Sequence, residues 1–110
     1  MRENKNMKKY LVITSILLMS SPVYAGQHLN NKTIKDVLVN TTTGIHFRIE
    51  GQMPNADNCK SASWYAVDKD SPYENAALSI LLTRDAQKQT VYFHTNGCTK
   101  NGYPKVSYIY

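Results

Sequence analysis

The chain is short of the features that most often announce chemistry. It has two cysteines, three histidines, eight acidic residues and five scattered glycines among 110 residues. No CxxC or HxxxH spacing occurs, so a zinc site has no ligand framework. No GxSxG elbow is present, and the serines lie in capping, strand and helix contexts, which leaves no serine-hydrolase signature. The glycines form no phosphate-cradling loop. The one close acidic pair, Asp68/Asp70, stands where a strand gives way to a helix and reads as a strand breaker rather than an acid–base dyad. These absences predict a protein that is not an enzyme and that needs no cofactor or metal.

Apolar runs are equally scarce. The one long run, Tyr10 to Met19 (YLVITSILLM), is shorter than the roughly 20 residues a spanning helix needs. Arg2, Lys5, Lys8 and Lys9 precede it. Ser20, Ser21 and Pro22 break it, and Val23-Tyr24-Ala25 supplies a cleavage site. This is the secretory-leader pattern, with cleavage expected after Ala25. An uncleaved N-terminal anchor is the competing reading, and a start at Met7 would leave the leader intact. The expected mature chain, residues 26–110, is 85 residues, room for one domain. Its nine basic and seven acidic residues leave a charge of only +2. With no Lys/Arg cluster, nucleic acid is not an expected partner. No second apolar run exists, so no membrane span is expected. The chain is read as secreted or periplasmic.

Both cysteines, Cys59 and Cys98, fall in the mature part. In an exported chain they are expected to pair, against the alternatives of a metal site or a reactive thiol. The loop so closed is worth about 4 kcal/mol in the chain-entropy model.

The periodicity gives five strands and one helix. Residues 26–31 are polar and read as loose. Thr33–Val39 is rich in branched residues and reads as a strand. A turn at Asn40–Gly44 leads to a clean alternation in which Ile45, Phe47 and Ile49 face one way and His46, Arg48 and Glu50 the other. Residues 51–60 are loop by composition. Ser61–Val67 reads as a third strand, with Trp64 and Tyr65 on opposite faces. Ser71, Pro72 and Glu74 then form a capping box opening a helix to about Lys88. Thr90–Thr95 and Lys105–Tyr110 are the last two strands. The order β-β-β-α-β-β is that of an OB-fold, a five-stranded Greek-key barrel, mainly β with one helix; an α+β sandwich shares the same element count.

Two groups of residues are candidates for binding. Trp64, Tyr65, Tyr103 and Tyr108, with Tyr110 beside the last, offer flat apolar faces with a polar handle, suited to sugars or proteins; the competing reading is that they pack the barrel and its rim. His46 and His94 lie on strands and are placed to meet across a sheet, against the plainer reading of two unrelated surface histidines. On the helix, Tyr73, Ala76, Ala77, Ile80 and Leu81 form one stripe, and Leu78, Leu82 and Ala86 a second, nearly opposite. A small barrel covers one stripe, so Leu78 and Leu82 are expected to contact another copy of the chain.

The run Leu78–Leu82 (LSILL) in the helix after Ser71-Pro72, Thr90-Val91 opening a strand, Gly97-Cys98, and Gly102-Tyr103-Pro104-Lys105-Val106 together resemble small secreted bacterial proteins of the subtilase cytotoxin B-subunit type, within the AB5 toxins. The resemblance spans about Thr33 to Tyr110. It implies an OB-fold, a ring of five subunits with helices lining the centre, host-glycan binding through surface polar and aromatic residues, and a toxin A subunit as a possible partner. The expected function is that of a secreted, non-enzymatic binding module. The alternative is a periplasmic accessory or inhibitor protein that binds another protein and has no sugar site.

Overall fold

The computed structural model describes residues 26–110; the leader and its expected cleavage signal, residues 1–25, lie outside the described residues. The elements are β1 (Gln27–Asn40), β2 (Gly44–Ile49), β3 (Tyr65–Asp68), α1 (Glu74–Ala86), β4 (Thr90–Cys98) and β5 (Pro104–Ile109). The fold is mainly β. The sheet closes on itself in the order β1-β2-β3-β5-β4, with β4 returning to β1. All neighbours are antiparallel except β3 and β5, which run parallel and meet at Ala66↔Lys105. No helix among the described residues is long and apolar enough to cross a membrane.

β1 is twice the length its sequence suggests. The stretch read as loose, residues 26–31, is mostly strand. Gln27 to Thr33 pair with β4, and Ile34 to Asn40 with β2. The ladder breaks register between Leu29 and Lys32, where Asn31 takes a φ of 53°, so one bent strand serves both sides of the ring. Leu29 alone carries the early half inward, where it is fully buried; one inward residue makes no visible alternation.

β2 behaves as its pattern demands on its inner side: Ile45, Phe47 and Ile49 are buried. Its outer side departs from expectation. Glu50 is exposed, Arg48 is half-buried, and His46 is only 5 % exposed. The turn before it is built by Asn40, whose Oδ1 accepts the amides of Thr42 (2.8 Å) and Thr43 (3.1 Å).

The third strand is shorter than expected, because residues 61–64 are fixed as loop. Ser61 N donates to Gly102 O (3.0 Å), and Ser63 N donates to Ser61 Oγ (3.2 Å). The helix also starts late. Ser71 Oγ accepts Tyr73 N (3.2 Å) and Ser71 O accepts Glu74 N (3.2 Å), so Ser71-Pro72 make a turn ahead of α1 in place of the capping box. At the other end, Lys88 N donates to Asp85 O (3.1 Å) and Gln89 N to Arg84 O (2.8 Å), with Lys88 at φ 54°. That is a Schellman stop made without glycine.

The core is an aromatic triad with aliphatic surroundings. Phe47, Tyr65 and Phe93 pack with centroids 5.0–5.8 Å apart and inclined planes. Leu29, Ile45, Ile49, Val91 and, from α1, Ala77 and Leu81 complete it. Cys59 and Cys98 are joined in a disulfide that ties the long β2–β3 loop to the end of β4. Asn55 braces the same corner: its Oδ1 accepts Cys59 N (2.8 Å) and its Nδ2 donates to Cys59 O (2.9 Å).

Candidate binding face

β4 sends Val91, Phe93 and Thr95 into the core, so Tyr92 and His94 stand on the outer surface. β5 sets tyrosines beside them. Tyr92 and Tyr110 exchange backbone hydrogen bonds (2.9 and 2.8 Å), and their rings stack 5.6 Å apart at 10°. His94 is opposite Tyr108, with rings stacked 5.0 Å apart at 6°. Tyr108 and Tyr110 are themselves 6.1 Å apart.

A bulge makes this alignment. Between the pairs Thr95↔Val106 and His94↔Tyr108, β5 carries one extra residue, Ser107. Its hydroxyl donates to the His94 carbonyl (3.0 Å) and also contacts His94 Nδ1. With the hydroxyl proton on the carbonyl, Oγ is left to accept from Nδ1 of His94. Ser107 thus clamps the ring; it is not lined up as a nucleophile.

β1 closes the row. His28 pairs with His94 across the ladder, with ring centroids 4.6 Å apart. The Tyr108 hydroxyl reaches His28 Nδ1 (3.1 Å), and the Tyr92 hydroxyl donates to Asn31 Oδ1 (2.6 Å). The result is a continuous aromatic stripe over three strands: His28, His94, Tyr108, Tyr110 and Tyr92. Tyr108 is 44 % and Tyr110 56 % exposed. Apolar ring surface edged by hydroxyls and imidazole nitrogens suits the CH-rich faces and hydroxyls of a sugar. Among the described residues, no three His, Cys, Asp or Glu side chains converge to hold a metal ion.

The four aromatics singled out in the sequence are dispersed. Tyr108 is in the stripe. Tyr65 is fully buried, its hydroxyl donating to Pro54 O (2.8 Å), and has no surface for a ligand. Trp64 and Tyr103 instead flank His46 edge-on, at 6.4 and 5.5 Å, on the far side of the ring. There the Arg48 guanidinium lies 4.5 Å over the Trp64 ring and pairs with Asp36 (2.6 Å). Loss of water holds His46 below the usual histidine pKa, against a smaller opposing pull from the Gly44 backbone. Its Nδ1 has no hydrogen-bond partner of ordinary geometry among the described residues. His46 and His94 do not meet, because β2 and β4 are not neighbours; His94 meets His28. His28 and Tyr92 were not singled out by sequence reasoning, and only the strand register brings them into the stripe.

A second surface feature is an apolar groove of about 420 Å³ between α1 and β5, lined by Val67, Tyr73, Ala76, Ile80, Val106 and Ile109 among others. On the helix, Leu78 packs against the chain's own core, while Leu82 is 49 % exposed. The stripe expected to seek a partner is therefore divided.

No family model matches the chain, and no match is found among curated proteins or solved structures.

Proposed function

We propose that this chain is an exported, non-enzymatic binding module of OB-fold type that takes carbohydrate on the aromatic stripe of β1, β4 and β5. The observation that carries the reading is the stripe itself: five rings from three strands, aligned by a bulge, with His28, Tyr108 and Tyr110 exposed and Tyr92 and His94 half-buried. A stability role alone would not call for two tyrosines about half exposed at its end. The OB-fold reading is supported by the ring order, the bent first strand shared between two neighbours, the parallel β3–β5 contact and the helix between β3 and β4. The secretory leader and the disulfide corner fit an oxidising compartment outside the cytoplasm, periplasmic or extracellular. The toxin-like reading adds a ring of five copies, with Leu82 as the open helix residue available to it, and a catalytic partner subunit.

The test is a glycan array probed with the mature protein, followed by titration of any hit against a Tyr108→Ala/Tyr110→Ala variant. Saccharide binding that weakens at least tenfold in a variant of unchanged fold is the expected result. A blank array removes the carbohydrate reading. The protein-binding alternative would then be favoured by the groove beside β5, whose edge toward β3 is paired only at Lys105.

A further inference from the structure

Gly26 occupies an unusual seat. Its backbone nitrogen donates to Asp57 Oδ1 (3.3 Å), while the other carboxylate oxygen, Oδ2, accepts Gly97 N (2.8 Å). Asp57 lies two residues before Cys59, and Gly97 directly precedes Cys98, so this carboxylate sits at the disulfide corner. The seat is cut for a residue without a side chain. A Cβ on Gly26 would stand 3.0 Å from His94 Nε2 and 3.2 Å from the Thr95 carbonyl.

In the unprocessed chain this nitrogen is a neutral amide. Cleavage after Ala25, which the leader predicts, changes its chemistry. A leader peptidase adds water across the Ala25–Gly26 amide; the C–N bond breaks, Ala25 departs as a carboxylate, and the Gly26 nitrogen becomes an amine that takes a proton at neutral pH.

We propose that Asp57 is the built-in counter-ion of the mature amino terminus, so that removal of the leader turns a neutral hydrogen bond into an ion pair fastening the start of β1 to the disulfide corner. This rests on the export reading and is independent of the carbohydrate reading. The pair bears on the binding face, because β1 carries His28 only two residues further on. Among the described residues, the titratable groups around the terminus include Asp57 from the β2–β3 loop, His94 from β4 and His28 from β1, the last in contact with the Tyr108 hydroxyl from β5.

The sign of the effect follows from linkage. An ammonium facing a carboxylate has its pKa raised in the folded state. The extra stability is therefore full below the unfolded value of about 8 and is lost as pH climbs through the folded value. The ring of strands described above and the helix packed on it are built from residues 26–110, so the mature chain is the protein to test.

Three forms suffice: mature protein beginning at Gly26, the same protein with N-acetylated Ala25 restored ahead of it so that no ammonium remains there, and mature Asp57→Asn, which keeps an oxygen for Gly97 N. NMR titration of the Gly26 amine in the mature form should give a pKa about one unit above the ordinary α-amino value, and Asp57→Asn should return it. The mature form should melt about 2–5 °C above the Ala25-extended form at pH 7, and the gap should close by pH 10. An ordinary amine pKa, or equal melting of the two forms, overturns the ion pair. Intact mass of the exported full-length product addresses the processing step separately: a start at Gly26 supports the proposal, and a start at any other residue overturns it.

Discussion

Two aromatic groups lie back to back on the same strand. Phe93 points from β4 into the ring and meets Phe47 and Tyr65 at planes inclined by 80° and 61°. Tyr92 and His94, its immediate neighbours, point outward and lie within 10° of parallel to Tyr110 and Tyr108. The inner rings fill a closed volume from three strands, and edge-to-face packing is how rings fill space in three dimensions. The outer rings are set by ladder register together with the Ser107 bulge, which places side chains in rows and leaves one side of each row toward solvent. The same residue types thus provide cohesion inside and an open surface outside.

The sharpest way to break this comparison is truncation on each side. Phe47→Ala should cost roughly 3–5 kcal/mol in chemical denaturation, as a large core ring removed from a packed site. Tyr110→Ala should cost under about 1 kcal/mol, the scale of one exposed cross-strand pair. Equal costs would make the stripe part of the core and strip it of its functional reading.

Opening the disulfide ranks beside the core truncation. Replacing Cys59 and Cys98 by alanine should remove about 4 kcal/mol, since the bridge closes a loop spanning 39 positions. The Asn55 brace remains in that variant, so the melting transition should stay cooperative while its midpoint falls.

A smaller effect separates the two kinds of tyrosine. Tyr65→Phe leaves the Pro54 carbonyl without its donor and should cost about 1 kcal/mol. Tyr108→Phe removes a hydroxyl that water can replace, and its stability should not change measurably. A loss from Tyr108→Phe equal to that from Tyr65→Phe would show the outer hydroxyls to be structural.

The smallest expected effect is in pH dependence. His46 is kept neutral by burial, its folded pKa below the unfolded value of about 6.5. The unfolded chain therefore binds a proton first, and stability falls as pH drops below about 6.5. His46→Gln should flatten the decline between pH 7.5 and 5.5 in thermal melts. An unchanged slope would overturn this account of His46.

Phe47 and Phe93 of the inner group and Tyr108 with Tyr110 of the outer one were legible in the sequence; Tyr65, expected as a binding residue, is core, and His28 and Tyr92 were not singled out. Ile45, Phe47 and Ile49 announced a buried face because alternation is a local property. The paired cysteines and the placement of the helix between the third and fourth strands were likewise readable from short stretches. Burial of His46 was hidden, because Trp64 and Tyr103, which flank it, lie 18 and 57 residues further along the sequence. The early half of β1 was hidden because its outer residues are polar and its inner side offers Leu29 alone. The stripe depends on register across three strands and on Ser107 as the extra residue of a bulge, and neither is encoded in any one segment.

The bent first strand also dictates an order of assembly. The later half of β1 finds β2 across a short turn, a pairing that costs little chain entropy. Its earlier half has to wait for β4, with partners from Thr33↔Thr90 to Gln27↔Thr95 that lie 57 to 68 residues apart. A chain emerging amino-end first therefore carries the Gln27–Thr33 edge open until nearly all of it has been delivered. Such an edge is a template for pairing with other chains. The seam between β1 and β4 is the one on which His28 and His94 meet, so the candidate face cannot form until these distant segments of the chain have paired.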